Sequence, residues 1–330
     1  MLIVRFSALG DIAMIAPVVR AYAEVSPQTT FTIATAPMMA PFFQRIPNLR
    51  FEAVNTKAYE GVWGIIRLFR RLHRLRPHLF LDQHQVLRTY ILCFLFFLSG
   101  LPVFAIKKGR WQKSMLTRQR HKRLQPLPSM ISKYRDTFVR AGFPSLPIDE
   151  VPHIRKIAAE QRESRNIGIA PFAKHEAKAW PAEKMEQLIE RLSLNGQFSI
   201  FLFGANNEEQ TILKAWEQRY RHVRCMAGVG DFAIELSVIG IMDLLVSMDS
   251  ANMHFASFME IPVISIWGGT HPFAGFYGWR QDPNNVIQIQ LACRPCSVFG
   301  NKRCRFGTLA CLQEITVEEV FQKISLFFNR

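Results

Sequence analysis

Short, unbroken apolar runs alternate along this chain with longer stretches whose apolar residues fall three and four apart, the mark of buried strands separated by helices. The runs lie at 2–6, 30–34, 51–54 and 78–82, and helical spacing covers 12–24 and 61–76. The alternation restarts further on, with strand-like runs at 166–170, 198–203, 243–247 and 262–266 and helical stretches at 181–194, 207–219, 250–258 and 316–328. Strands separated by helices of this length predict parallel βαβ units.

A chain of 330 residues is long enough for two such domains. Pro144, Pro147 and Pro152, followed by the polar segment KIAAEQRESR, break the alternation and mark the join. The expected fold is α/β: two Rossmann-like domains, 1–155 and 156–330, with a cleft between them. One stretch tests that reading. Residues 90–106, YILCFLFFLSGLPVFAI, are 17 largely apolar positions. A membrane-spanning helix needs about 20, and Gly100 and Pro102 interrupt the run. It is read as a buried helix over 85–98 followed by a buried strand over 102–106.

With 49% hydrophobic and 12% aromatic residues the chain is not disordered. Met1 leads directly into an apolar strand with no signal-peptide pattern, so a cytoplasmic protein is expected. The net charge of +15 is unevenly spread. Residues 1–150 carry 22 Lys/Arg and 8 Asp/Glu, and the remainder 19 and 18, so the excess sits in the first half. The segment 107–125 is read as a basic loop and contains Lys107 and Arg110. Such a field suits nucleic acid, an anionic membrane or a phosphorylated glycolipid. Helix 61–76 sets Arg67, Arg70, Arg71, Arg74 and Arg76 beside Trp63, Ile66, Phe69 and Leu72. That composition fits either an interfacial helix or a helix packed on a sheet with a solvated arginine face.

Open parallel sheets bind ligands beyond the carboxyl ends of their strands, so the loops there are the places to look for chemistry. After the first strand comes Ser7-Ala8-Leu9-Gly10-Asp11, where Gly10 permits a close backbone approach and Asp11 is either a first-turn carboxylate or a general base. The single glycine lacks the spacing of a dinucleotide fingerprint, which argues against a nicotinamide enzyme. Lys174, His175 and Lys178 crowd the loop before Pro181, either as a solvated basic turn or as phosphate ligands. Gly204 turns a third strand into a helix. Asp249, Ser250, Ala251, Asn252 and His254 follow a fourth strand, and Gly268-Gly269-Thr270-His271 a fifth. Two adjacent small, polar strand ends suggest an anion pocket, although His254 is equally readable as a core histidine.

The ordered set RFSALGD, KAWP, SMDSANMH and WGGTHP resembles glycosyltransferase family 9, the heptosyltransferases of lipopolysaccharide core synthesis, along essentially the whole chain. The resemblance implies a fold of the GT-B type, with the acceptor held by the N-terminal domain and the donor by the C-terminal one. It implies inverting, metal-independent transfer from a nucleotide-diphosphate sugar, ADP-heptose in the best-known members, to a phosphorylated glycolipid. No cofactor is implied. By the same resemblance Asp11 falls on the general base. Ser7, Gly10, Lys107 and Arg110, in the basic N-terminal half, are the candidates for the acceptor side. Lys178 falls on a donor-phosphate lysine. Asp249, Ser250 and His254 fall on the donor segment, and Thr270 lies in the second phosphate-facing turn. Gly204 is a donor-side candidate only from its strand–turn–helix position, where such a turn either accepts a nucleotide or merely changes direction. Ala251 departs from the family's usual glycine, which loosens the assignment of the sugar.

Cys293, Cys296, Cys304 and Cys311 lie in a basic loop and could form a structural zinc site, a disulfide or plain thiols. Nucleic acid is not expected, because the basic segment lacks interleaved aromatics for base stacking. Peripheral contact with an anionic membrane surface is.

Overall fold

The computed structural model describes residues 1–147 and 165–329. Pro152, most of KIAAEQRESR and the expected boundary at 155 lie outside them. Two compact units emerge, one formed by Met1–Gly109 with Pro128–Pro152, the other by Arg110–Leu127 with His153–Arg330.

The first unit is a five-stranded parallel sheet. Its strands are β1 (Leu2–Val4), β2 (Phe31–Thr35), β3 (Leu49–Ala53), β4 (Phe80–Asp82) and β5 (Val103–Ala105), in the order β3-β2-β1-β4-β5. Its helices are α1 (Leu9–Val25), α2 (Gly61–His73) and α3 (Leu87–Leu98). In the second unit α4 (Arg110–Thr117) comes first in the chain, and α5 (Met130–Arg140) then returns to the first unit.

The second sheet has six parallel strands: β6 (Arg165–Ala170), β7 (Phe198–Leu202), β8 (Val223–Cys225), β9 (Leu244–Met248), β10 (Val263–Trp267) and β11 (Val286–Gln288). Their order is β11-β10-β9-β6-β7-β8. The helices of this unit are α6 (Ala182–Leu194), α7 (Asn207–Arg219), α8 (Phe232–Ile239), α9 (Ala251–Phe258), α10 (Ala310–Gln313) and α11 (Val317–Phe328). Counted within each unit, the strands run 3-2-1-4-5 and 3-2-1-4-5-6, the doubly wound arrangement expected from the alternation.

The local sequence accounts for the elements. Central β1, β9 and β10 are apolar on both faces and wholly buried, as strands covered by helices on two sides must be. Asn206, Asp231 and Thr316 cap α7, α8 and α11, the last as a capping box with Glu319. The second core gathers Trp180, Leu188, Leu192, Val246, Ile264 and Ile324, and the Trp180 indole N–H is satisfied by the Ile315 carbonyl at 3.2 Å.

Three expectations change. The segment 107–125 is not simply a loop: it contains α4 and packs with the second unit, so the division is not a single contiguous cut. Six basic residues of the first half, Arg110, Lys113, Arg118, Arg120, Lys122 and Arg123, therefore belong to the second unit, which spreads the charge over both. The helix read as buried is only one-sided. In α3 Thr89, Leu92 and Phe96 are buried, while Leu87, Phe94, Phe97 and Leu98 face outward, because α3 lies near the sheet edge with cover on one flank alone. The strand that follows it, β5, is an edge strand and half-buried for the same reason.

Phe96 stacks on Phe80 at 4.4 Å and meets Phe69 edge-on at 5.0 Å. Phe96→Ala is expected to lower stability by about 3–5 kcal/mol in chemical denaturation, and Phe97→Ala, one residue on but exposed, to change it by less than about 0.5 kcal/mol.

Candidate active site

Where strand order reverses, successive connections run to opposite faces of the sheet, and the strand ends diverge into a crevice. In the first unit the reversal lies between β1 and β4. The chain leaves β1 through Arg5 and Ser7 and enters α1, whose N-cap is Ala8, so Asp11 sits in the first helical turn rather than capping it. Its carboxylate is held from two sides. Arg5 Nη2 lies 2.5 Å from Oδ2, and the Tyr134 hydroxyl donates to Oδ1 at 2.9 Å. Arg5 is buried, also donates to the Gln83 carbonyl beyond β4, and lies over the Tyr134 ring at 5.4 Å. Burial works against the Arg5 charge, but Tyr134 and Asp11 outweigh it and raise its pKa. Burial first, with Asp11 adding, pushes Tyr134 far above the ordinary phenol range, so it remains a donor. Asp11 keeps 20% of its side-chain surface exposed.

Beside it, Ser7 Oγ lies 3.2 Å from His84 Nε2. Burial, then Arg5 and Lys108, push His84 down to about 3. The Gln83 amide is fully buried, and among the described residues neither its nitrogen nor its oxygen has a partner. Asp82 is consumed structurally, accepting the main-chain N–H groups of His84 and Gln85 at 2.8 and 2.9 Å. Of the acceptor-side candidates, Ser7 and Gly10 share this strand end with Asp11, while Lys107 is exposed and Arg110 belongs to the second unit. The neighbouring Lys108, not Lys107, reaches the β4 loop, donating to the Gln85 carbonyl at 3.2 Å.

In the second unit the reversal lies between β6 and β9. Lys178, after β6, meets Asp249, after β9, at 2.8 Å, with both side chains largely buried. The Lys178 stem lies so close to Gly300 that a Cβ there would fall 2.7 Å from its Cγ; Gly300 also has φ +77°, so both space and backbone demand glycine. Asp249 leads into Ser250, the N-cap of α9, whose hydroxyl is bonded to Ser247 at 2.9 Å and leaves the first helical amides uncapped by a side chain. Beyond β10, Gly269 donates to the Ala177 carbonyl at 2.7 Å, tying the third strand end to the first. The Thr270 hydroxyl is buried and has no partner among the described residues. Lys178, Asp249, Ser250, Ala251 and Thr270 thus come together from three neighbouring strand ends. His254 is buried on the flank of α9. At Gly204, after β7, the neighbouring Ala205 amide is taken by the Glu209 carboxylate at 2.6 Å.

Behind this pocket lies a second cationic layer. Arg294 is buried and donates to the carbonyls of Gly268, Ile289 and Thr270 and to Gln288. Lys122 donates to the carbonyls of Ala292, Cys293, Arg294 and Pro295 at 3.3, 2.7, 2.8 and 3.1 Å. Burial, then Arg294 and Lys122, push His271 down to about 4, and its Nδ1 accepts from the Phe273 amide at 3.1 Å.

Cys293, Cys296, Cys304 and Cys311 line one cavity of about 430 Å³ together with Lys302 and Arg305. All four are free thiols. Among the described residues no three His, Cys, Asp or Glu side chains gather closely enough to hold a metal. Burial raises Cys311 to about 11 and also raises Cys296, whereas main-chain N–H groups, Leu309 first, lower half-buried Cys304.

Sequence reasoning missed Arg5, Tyr134 and the Gln83–His84 loop. Arg5, a charge inside an apolar strand, was visible as an anomaly, and the loop after β4 was open to the same strand-end rule applied elsewhere. Tyr134 sits on α5, which the periodicity did not reveal.

The Glycosyltransferase family 9 (heptosyltransferase) sequence model matches residues 69–306. The chain belongs to glycosyltransferase family 9. This family 9 glycosyltransferase is 24% identical over 294 residues to lipopolysaccharide heptosyltransferase 2 of Salmonella typhimurium, covering 82% of this chain and 83% of the relative. In fold it is similar to a family 9 glycosyl transferase of Veillonella parvula, with TM-score 0.75 and 14% identity over 99% of this chain and 96% of the other. It is also similar to an E. coli heptosyltransferase with ADP, with TM-score 0.68 and 17% identity over 99% of both chains. These likenesses agree with the expected α/β fold and with a glycosyltransferase of heptosyltransferase type.

His84 and His271 bind fewer protons in the folded chain than in the unfolded one between their lowered pKa values and about 6.5. Stability is therefore present above about pH 6.5 and is lost as pH falls toward 4 and 3. Thermal melts across that window should show the decline, and His271→Asn, which keeps an acceptor for the Phe273 amide, should flatten it.

Proposed function

We propose that this glycosyltransferase transfers heptose, with inversion, from ADP-heptose to a hydroxyl of a phosphorylated lipopolysaccharide-core glycolipid. The observation that carries the proposal is the Asp11 carboxylate, fixed by Arg5 and Tyr134 at the first strand reversal yet partly open. An acceptor hydroxyl attacks the anomeric carbon, the bond from that carbon to the diphosphate oxygen breaks, and the proton passes to Asp11. A carboxylate is a weak base toward an alcohol, so proton removal comes late, after the new bond has made the hydroxyl acidic. The departing diphosphate gains negative charge, which Lys178, the first amides of α9 and the Thr270 hydroxyl are suited to receive. Those donors are fixed hydrogen-bond and dipole partners for the developing charge, which supports transfer without a divalent ion. The related E. coli fold was solved with ADP, and the Salmonella relative is a lipopolysaccharide heptosyltransferase, which supports this choice of donor and acceptor.

The first unit serves the acceptor and the second the donor, and the enzyme works in the cytoplasm at a membrane carrying the glycolipid. Ala251 replaces the glycine of the resembling motif, and its methyl group is where a different nucleotide-sugar would be selected. Mass spectrometry after incubation with truncated core glycolipid and a panel of nucleotide-sugars should show a heptose mass increment with ADP-heptose alone. A hexose increment instead would reassign the donor, and no increment with any sugar would reduce the chain to a binding module. Asp11→Asn is expected to lower kcat by about 10²–10⁴-fold with the donor KM little changed. Turnover should survive chelation, and activity that vanishes with chelator and returns with magnesium would sink metal independence.

A further inference from the structure

The outward faces of α2 and α3 carry a feature that glycosyl transfer does not use. On α3 the exposed residues are Leu87, Phe94, Phe97 and Leu98, with fractional exposures of 78, 60, 68 and 65%. Their spacing places them on one face of the helix, opposite buried Thr89, Leu92 and Phe96. Helix α2 lies alongside, joined by the Phe69–Phe96 contact, and exposes Val62 at 61% and Trp63 at 79%. Contiguous exposed apolar surface of this kind marks an interaction site.

The charge around it is predominantly positive, although exposed Glu60 stands at the N-cap of α2. Between residues 61 and 98 stand six arginines and a single acid, Asp82, which is buried and bonded to main-chain amides. Arg71 is spent on Glu52, but no ion pair engages Arg70, Arg74 or Arg76 among the described residues. A shallow depression at the end of α2 is walled by His73, Arg74, Arg76 and His78. A second copy of the chain on this face would set arginines against arginines. A surface of anionic phospholipid headgroups over hydrocarbon satisfies both halves of the pattern: aromatic and aliphatic side chains enter the acyl boundary, and guanidinium groups meet phosphate. Among the described residues no helix is long and apolar enough to cross a membrane, so the contact is with one leaflet.

We infer that the α2–α3 face is a peripheral docking surface for an anionic phospholipid membrane, seated through Trp63, Phe94, Phe97 and Leu98 and held by Arg70 and Arg74. This rests on the reading of an enzyme that works at a membrane and deepens it by naming the surface that meets the lipid; binding is read without donor or acceptor, so its failure is distinguishable from failure of the proposed reaction.

The test is co-sedimentation of the full chain with sucrose-loaded vesicles of phosphatidylethanolamine and phosphatidylglycerol, against vesicles of phosphatidylcholine. The chain is expected to pellet with the anionic vesicles and to release as salt rises. Phe94→Ser with Phe97→Ser should weaken binding at least about tenfold while leaving the melting temperature unchanged. Should that pair misfold, Arg70→Gln with Arg74→Gln probes the same face and should cost on the order of tenfold, on anionic vesicles alone. Wild-type protein remaining in the supernatant, equal binding to both vesicle types, or folded variants that bind like wild type would each overturn the proposal. So would concentration-dependent self-association that the serine variants abolish, which would give the face to a second copy.

Discussion

A parallel sheet whose strand order reverses cannot close over its own centre. The first strand of each unit pairs on both sides, β1 with β2 and β4, β6 with β7 and β9, and the connections from the two flanks leave on opposite faces. At that point alone two strand ends stand side by side with no helix crossing above them. The Arg5–Asp11–Tyr134 group and the Lys178–Asp249 pair occupy these two positions. The pattern of pairing, more than any one motif, decides where chemistry can be placed.

Buried and half-buried cations stand at both places, and they are satisfied in different ways. Arg5 and Lys178 have carboxylate partners, whereas Arg294 and Lys122 are held mainly by carbonyl oxygens. A carbonyl satisfies a donor's hydrogen-bonding need without cancelling its charge, so the loops beyond β10 and β11 keep a positive potential. Burial acts on the imidazoles in the same direction, holding His84 and His271 neutral beside these cations.

Much of this was legible in the chain. The alternation of runs located most strands, and the small polar clusters at 247–254 and 267–272 marked two of the three strand ends that meet around Lys178. What was hidden has physical reasons. Tyr134 reaches Asp11 from a helix 123 residues away, and no local pattern encodes that distance. Helix α3 reads as buried because its composition is apolar all round, and composition cannot say which flank a neighbour covers. Gly204 resembles a phosphate turn until Glu209 is seen to bend back onto it. The arginines of 110–123 were counted with the half of the chain that contains them, although contacts assign them to the other.

That last reassignment bears on how the protein could diversify. The chain leaves the first unit after Gly109, threads Lys122 into a ring of four carbonyls belonging to the second, and returns at Pro128. A recombination event joining the front half of one relative to the back half of another would deliver a foreign strap to the loop at 292–295. The chain passes between the units three times, so exchange of whole lobes demands three matched crossovers, whereas drift at individual strand ends demands none, and new specificities are more accessible by the second route.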